Sequence, residues 1–264
     1  MPITSPVASQ TSNQVVAPQL NPNAPVTSAV ATLPEHQTNQ QSDVFGANLF
    51  TGNFARQGST QFNPDYAVSA GDRIQVRLWG AFEFEQLLTV DPQGNIFIPN
   101  VGPVPVQGVR NQELQRVLEG AVAKAFRQNV SSYASLAAAQ PVRIFVGGNV
   151  ARPGLYAGTS MDSLLHYLDQ AGGIDPERGS FLQIEVKRGP QLRTTVNLYE
   201  FLLKGLMPQV QLADGDVIFV PPRQYSAKVS GLASNAKRFE FTTTASPTVA
   251  DLALLAKPRA EATH

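Results

Sequence analysis

Between residues 73 and 78 apolar Ile74, Val76 and Leu78 alternate with Arg73, Gln75 and Arg77, the period of two that marks a strand with one face in a core. Two further strands are predicted over 86–90 and 95–99, joined across Asp91-Pro-Gln-Gly94, where proline at the second position and glycine at the fourth favour a type I turn and so a hairpin. The period then changes. Leu114, Val117, Leu118, Ala121, Val122, Ala125 and Phe126 recur every three or four residues, which predicts a helix opened by Asn111 as N-cap, with Lys124 and Arg127 suited to its C-terminal dipole. A second series starts with a strand over 142–146, a hairpin tip over 147–154 and Leu155-Tyr156. Thr159 and Asp162, at capping-box spacing, open a short helix with Leu164, Leu165 and Leu168 on its apolar face and Gly172-Gly173 at its end. Strands over 182–188 and 192–196, a helical turn over 198–204 and a last strand over 217–220 complete it. The chain reads as α+β: one small module over 66–140 and a second over 141–223.

The segment before these modules is different in kind. Residues 1–42 are built mainly of Pro, Ala, Ser, Thr, Gln and Asn with Glu35 as the single acid, too little apolar surface to offset chain entropy, and are expected to be a disordered leader. Residues 43–65, rich in Phe and Gly up to Phe54, are expected to pack as an irregular arm against the modules.

Two internal echoes run through the sequence. Ser69-Ala-Gly-Asp-Arg-Ile-Gln-Val76 and Ala213-Asp-Gly-Asp-Val-Ile-Phe-Val220 share a turn-then-strand phrase, in which glycine permits the turn and aspartate bonds nearby backbone. Gly148 to Tyr156 is mirrored by Gly231 to Phe239, and Asp162-Ser-Leu-Leu165 by Asp251-Leu-Ala-Leu254. Residues 224–264 are therefore expected to start a second copy of the 141–223 module, truncated before its later strands.

Hydrophobic residues make up 42% and charged ones 15%, enough for a core, with a surface carried largely by Gln, Asn, Ser and Thr. Lys plus Arg equal Asp plus Glu at 20 each, so no general positive field exists to hold nucleic acid. Cysteine is absent, which removes disulfides, thiolate metal sites, a cysteine nucleophile and the acceptor of a lipid anchor. Neither a membrane helix nor a signal peptide is read from the sequence.

Four phrases in order, Tyr66-Ala-Val-Ser-Ala-Gly-Asp-Arg-Ile-Gln-Val76, Leu78-Trp-Gly80, Asp91-Pro-Gln-Gly-Asn-Ile-Phe-Ile-Pro99 and Val101-Gly-Pro-Val-Pro-Val-Gln-Gly108, resemble the export domain of the outer-membrane polysaccharide export proteins. Val146-Gly-Gly-Asn-Val-Ala-Arg-Pro-Gly-Leu-Tyr156, Ala171-Gly-Gly173 and Gly215-Asp-Val-Ile-Phe-Val-Pro221 resemble the soluble-ligand-binding β-grasp (SLBB) domain that comes after it in that family. Asp43-Val-Phe-Gly-Ala-Asn-Leu-Phe50 and Gly179-Ser-Phe181 look most like the periplasmic export protein of ABC-transporter-dependent (group 2) capsule systems. The resemblance implies a non-enzymatic, periplasmic protein associated with the outer membrane of a Gram-negative bacterium. It implies a homo-oligomeric ring, an octamer among the plausible sizes, working with an inner-membrane polysaccharide co-polymerase and ABC exporter to pass capsular polysaccharide. No cofactor is implied. The second copy departs from the pattern, with Asn235-Ala-Lys237 where the first has Arg152-Pro-Gly154.

Candidate contact residues are few. Trp79, the single tryptophan, lies near Phe82 and Phe84, an aromatic group suited to stacking on sugars or to packing. Arg152 lies in the 147–154 tip and Tyr156 just after it; the tip lacks the lysine and helix of a phosphate loop and by resemblance meets glycan or a neighbouring subunit. Lys187, Arg188 and Arg193 form a basic group on adjoining strands, able to attract an acidic polymer or simply to face solvent. Asp72 and Asp216 suit backbone roles in their turns better than a hydrolytic acid pair. His166, with Asp162 and Asp169 on what reads as a solvated helix face, is assigned no metal. Besides the conduit, two other classes remain: a monomeric ligand-binding β-grasp module with a saturable pocket, and a glycan hydrolase or lyase, for which no acid-base pair is legible.

Overall fold

The structure, a computed structural model, describes residues 33–56, 63–126, 129–208, 210–242 and 248–260. Of the expected leader, residues 1–32 lie outside the described residues. The remainder is not a leader, because α1 (Pro34–Gln41) is a helix with proline in its first turn and with His36 and Asn39 buried. It has no apolar stripe for periodicity to detect, and what holds it is polar and distant in sequence. Asn39 Nδ2 donates to the carbonyls of Phe50 and Gly172 at 3.0 and 2.9 Å, and His36 Nε2 lies 3.2 Å from the carbonyl of Asp169. A 3-10 turn at Ala47–Leu49 and α2 (Asn53–Arg56) complete the arm.

The first module is built on β1 (Arg73–Gly80), paired antiparallel with β2 (Phe84–Thr89). A separate ladder of β3 (Asn95–Ile98) and β4 (Gly102–Pro105) comes next, then α3 (Leu114–Ala125) and β5 (Val130–Ala138), which returns antiparallel along the other side of β1. The predicted hairpin needs correction. The Asp91–Gly94 turn forms, with the Gly94 N–H on the Asp91 carbonyl at 2.9 Å and the Asn95 N–H on the Asp91 carboxylate at 2.8 Å. Yet β2 and β3 belong to different sheets. β2 is already held along β1 and tied at its end by Val90 to the Gly71-Asp72 turn, while pairing Ile96 with Val104 lets both enter the core beside Ile98.

Leu114, Leu118 and Val122 of α3 are buried against Ile74, Val76 and Leu78 of β1, as its spacing predicts. Asn111 is not the cap. It starts a 3-10 turn, and its Nδ2 donates to the Asn63 carbonyl at 3.2 Å. Gln115 does a job that spacing could not show: its Oε1 accepts from the Ala134 N–H at 2.7 Å and its Nε2 donates to the Ser132 carbonyl at 2.8 Å. An amide side chain thus stands in for a neighbouring strand along the free edge of β5.

The second module pairs β6 (Pro141–Gly148) with β7 (Gly154–Thr159) as a hairpin, then places α4 (Leu164–Gln170), β8 (Ile184–Arg188), β9 (Gln191–Val196), α5 (Leu198–Lys204) and β10 (Val217–Val220). The sheet order is β7-β6-β10-β8-β9, with β10 parallel to β6 and the other pairs antiparallel. Val142, Ile144, Val146, Val186, Ile218 and Val220 turn one face of it onto Leu164, Leu165 and Leu168. The capping box predicted for α4 is also corrected. Ser163 is the N-cap, accepting from the His166 N–H at 3.2 Å, while Asp162 closes the preceding turn on the Thr159 N–H at 2.6 Å. Asp162, His166 and Asp169 are buried rather than solvated: the arm bonds to His166 and Asp169, and Asp162 turns onto the Thr159 N–H.

Past residue 223 the described residues form a further hairpin and helix. β11 (Tyr225–Lys228) and β12 (Arg238–Phe241) form a hairpin, and α6 (Val249–Ala256) opens on a Thr248–Asp251 capping box. At the β6–β7 tip Ala151 and Arg152 donate to the carbonyls of Gly173 and Ala171; at the β11–β12 tip Ser234 and Asn235 donate to those of Lys257 and Ala256. The tip of each hairpin is therefore bolted to the end of its helix by the same pair of backbone bonds, despite the altered tip sequence. The arm joins β12 to the second module. The Phe45 N–H donates to the Arg238 carbonyl at 2.9 Å, the Arg238 N–H to that of Asp43 at 2.7 Å, and the Phe45 ring meets Tyr199 and Phe239 at 5.0 Å each.

Candidate functional site

The two turn phrases share one local geometry. Asp72 accepts from the Ser69 N–H at 2.7 Å, and Asp216 from the Ala213 N–H at 2.9 Å, each three residues back. Their outer partners differ. Asp72 also accepts from the Gln140 N–H at 2.7 Å and the Tyr66 hydroxyl at 2.8 Å, and burial raises its pKa. Tyr66 in turn meets Ser160 at 2.6 Å, a contact between the modules, and burial pushes its phenol up. Asp216 instead takes a bidentate pair from Arg188 at 2.7 and 2.8 Å. Both aspartates are engaged in structural bonds, and they do not face a common cleft as a hydrolytic pair would.

This splits the basic group expected over 187–193. Arg188 holds the Asp216 turn. Lys187 sits 2.5 Å from Glu185, with its ammonium 4.7 Å from the Phe219 ring centre, on the outer face of the sheet. Arg193 lies at a β-bulge, since β8 pairs Val186 with Thr194 but Lys187 with Leu192. A bulge re-aims the side chain it carries, and Arg193 joins Arg188 on the wall of a cleft of about 250 Å³ between the modules.

The two sheets each leave one face open, and the faces differ in chemistry. On the first module Trp79 is 45% and Tyr133 50% exposed. Trp79 lies opposite Ser131 and Tyr133 opposite Arg77, so the rings are diagonal neighbours. Phe82 does not join Trp79; it stacks on Phe126 and Phe84, with centres 5.4 and 6.4 Å away, and packs against the core. On the second module Leu155, Phe145, Val217, Lys187 and Leu192 lie in one row across five strands. Leu155, Phe145 and Leu192 are 50%, 49% and 55% exposed. The charges on this face are mutually paired, Lys187 with Glu185 and Arg143 with Asp214.

The 147–154 tip is less free than its sequence implies. The Tyr156 hydroxyl donates to the Arg152 carbonyl at 2.6 Å, and Arg152 Nη2 donates to the Gln170 carbonyl at 3.3 Å. Arg152 keeps an exposed side chain, while burial raises the Tyr156 phenol pKa. Among the described residues no group of His, Asp and Glu is arranged to hold a metal, and no helix is long and apolar enough to cross a membrane.

Sequence reasoning missed Glu240 altogether, for its role depends on contacts about sixty residues away. It is buried, accepts from the Ser180 hydroxyl at 2.5 Å and the Phe181 N–H at 2.6 Å, and so ties β12 to the second module. Burial raises its pKa above the ordinary 4.5. A carboxyl raised on folding contributes stability that is full below its unfolded pKa and is lost as pH rises through the folded value. Glu240→Gln is therefore expected to gain on the wild type as pH rises from about 4 to about 8. Parallel urea-derived stability curves over that range would contradict this.

Residues 60–137 match the family model described as polysaccharide biosynthesis/export protein, and residues 142–220 match that of the SLBB domain. Two Escherichia coli proteins, both named polysialic acid transport protein KpsD, are each 52% identical to the chain over 224 residues. The match covers 84% of this chain and 40% of each relative, so the chain spans less than half the length of those proteins. The chain therefore carries a domain of the polysaccharide biosynthesis/export family, continued directly by an SLBB domain.

Proposed function

We propose that the chain is a non-enzymatic subunit of a conduit that carries an acidic capsular polysaccharide across the periplasm and outer membrane. Subunits assemble into a homo-oligomeric ring that meets an inner-membrane exporter. The observation that carries this reading is the tandem of export and SLBB domains, together with 52% identity to a protein named for polysialic acid transport. The test is genetic: the full-length gene should restore surface capsule to an export-deficient strain in which polymer otherwise accumulates inside. Continued internal accumulation despite normal protein levels would refute it.

The open SLBB sheet face supports the ring. A row of half-exposed Leu155, Phe145 and Leu192 with internally paired charges has little to attract a polyanion and much to bury against protein. A ring needs such a patch to meet a different surface on the next copy. Phe145→Asp combined with Leu155→Asp is expected to convert the full-length oligomer to monomer in light scattering, with an unchanged circular dichroism spectrum. An unchanged oligomer mass would exclude this face from the contact.

A further inference from the structure

The seam between the two modules holds a cleft of about 250 Å³ whose polar lining includes Ser69, Gln107, Gln140, Gln211, Arg188 and Arg193, with no carboxylate among the described residues of its wall. That volume is on the scale of one sugar ring, and clefts between domains are favoured places for small-ligand sites. We propose that this cleft is a subsite for a carboxylate-bearing sugar residue, with Arg193 as the group that meets the carboxylate.

Three observations support the assignment. The bulge in β9 gives Arg193 an extra position outside the ladder register, so its side chain reaches the cleft instead of the sheet's open face. Arg188 contributes a second guanidinium, fixed by its bidentate hold on Asp216, which keeps its direction constant without covering it, since its side chain remains 44% exposed. The amides supply the hydroxyl-matching part. Gln211 Nε2 already donates to the Ala67 carbonyl at 2.8 Å and to the Ser69 hydroxyl at 3.1 Å, so its orientation is set before a ligand arrives. Guanidinium for carboxylate and amide or hydroxyl for sugar hydroxyls is the donor set an acidic saccharide requires.

The neighbouring cavity sharpens the choice. It is larger, about 410 Å³, and shares Ser160 and Gln211 with the first, but its wall carries Asp65 and Asp162 together with Met161 and Met207. The wall of the Arg193 cleft thus presents guanidinium groups where that of its neighbour presents carboxylates. An acidic sugar is directed to the Arg193 end. A single guanidinium-to-carboxylate contact on a half-open cleft is weak and reversible, as a subunit that passes polymer along needs.

This inference rests on the proposed function, and its test separates the two. The probe is a tetramer of sialic acid, titrated into the 264-residue chain by calorimetry and by ligand-observed NMR. The comparator is the same tetramer with its carboxylates methyl-esterified. We expect binding by the acid form, with Arg193→Glu or esterification each weakening it at least about tenfold, the scale of one hydrogen bond to a charged group. Arg143→Glu, a change at an exposed arginine outside the cleft, should leave binding within about twofold. Trp79 gives an internal control. As the chain's single tryptophan, on the open face of the other module, it should show unchanged emission when the cleft fills. Equal binding by Arg193→Glu, equal binding by the esterified tetramer, quenching of Trp79, or no binding at millimolar tetramer would each overturn the subsite. Capsule export restored by the wild-type gene would still uphold the conduit in every one of those cases.

Discussion

Replacing Asp169 by alanine is expected to lower the unfolding free energy by about 3 to 5 kcal/mol, the range for removing one partner of a buried charged network, and to free the arm from α4. The carboxylate is fully buried and accepts from the Gly52 N–H at 2.9 Å and the Ala55 N–H at 3.0 Å, with His36 Nε2 at 3.5 Å. Truncation leaves two backbone donors without their acceptor, while His36 keeps the Asp169 carbonyl. Asp169→Asn keeps one oxygen and should fall between. Urea denaturation measures the loss. Trypsin cleavage after Arg56, slow in the wild type and fast in the variant, reports on the arm itself. Wild-type stability together with wild-type cleavage would show that the arm is held by its phenylalanines alone.

The second large effect is expected at the turn before β1. Asp72→Ala removes the acceptor of the Ser69 and Gln140 N–H groups and of the Tyr66 hydroxyl, and should cost about 3 kcal/mol, since each buried donor left unsatisfied costs about 1 to 3 kcal/mol and Tyr66 retains Ser160. Asp72→Asn should cost less, because one oxygen still serves a backbone donor. Hydrogen exchange distinguishes a local from a general effect: the Ser69 and Gln140 amides should lose protection more than amides of α4. Uniform loss across both modules would mean that Asp72 supports the whole fold rather than this junction.

The contrast between those two aspartates shows what a sequence reveals and what it hides. Asp72 sits in a turn whose local bond spans three residues, and the phrase repeated around Asp216 announces it, whereas nothing near Asp169 in sequence points to the arm it holds. The strands of alternating pattern and the apolar face of α3 are legible because their burial follows the period of the backbone. The hairpin expected of β2 and β3 does not form because a turn signal fixes a reversal of the chain, not which strand lies alongside. α1 reads as leader because its buried residues are His36 and Asn39, whose value depends on carbonyls of Phe50, Asp169 and Gly172. The same limit applies to the expected site. Lys187 and Arg188 are consecutive, so on a strand they face opposite ways, and without the bulge there is no reason to give Arg193 to the seam. Nearness in sequence groups Trp79 with Phe82, whereas its neighbour Tyr133 comes from a strand more than fifty residues later.

The way the arm is stitched into the molecule sets an order of events during folding. Its bonds reach 117 residues ahead to Asp169, 133 to Gly172 and 195 from Asp43 to Arg238. Closing loops of that size is slow compared with forming α3 or the β6–β7 hairpin. The two modules can each gather while the arm waits, its phenylalanines uncovered, for the β11–β12 hairpin to form. The arm is thus the last piece to settle although it precedes both modules in sequence, and the interval before β12 docks is when its phenylalanines are most open to mispairing with another copy.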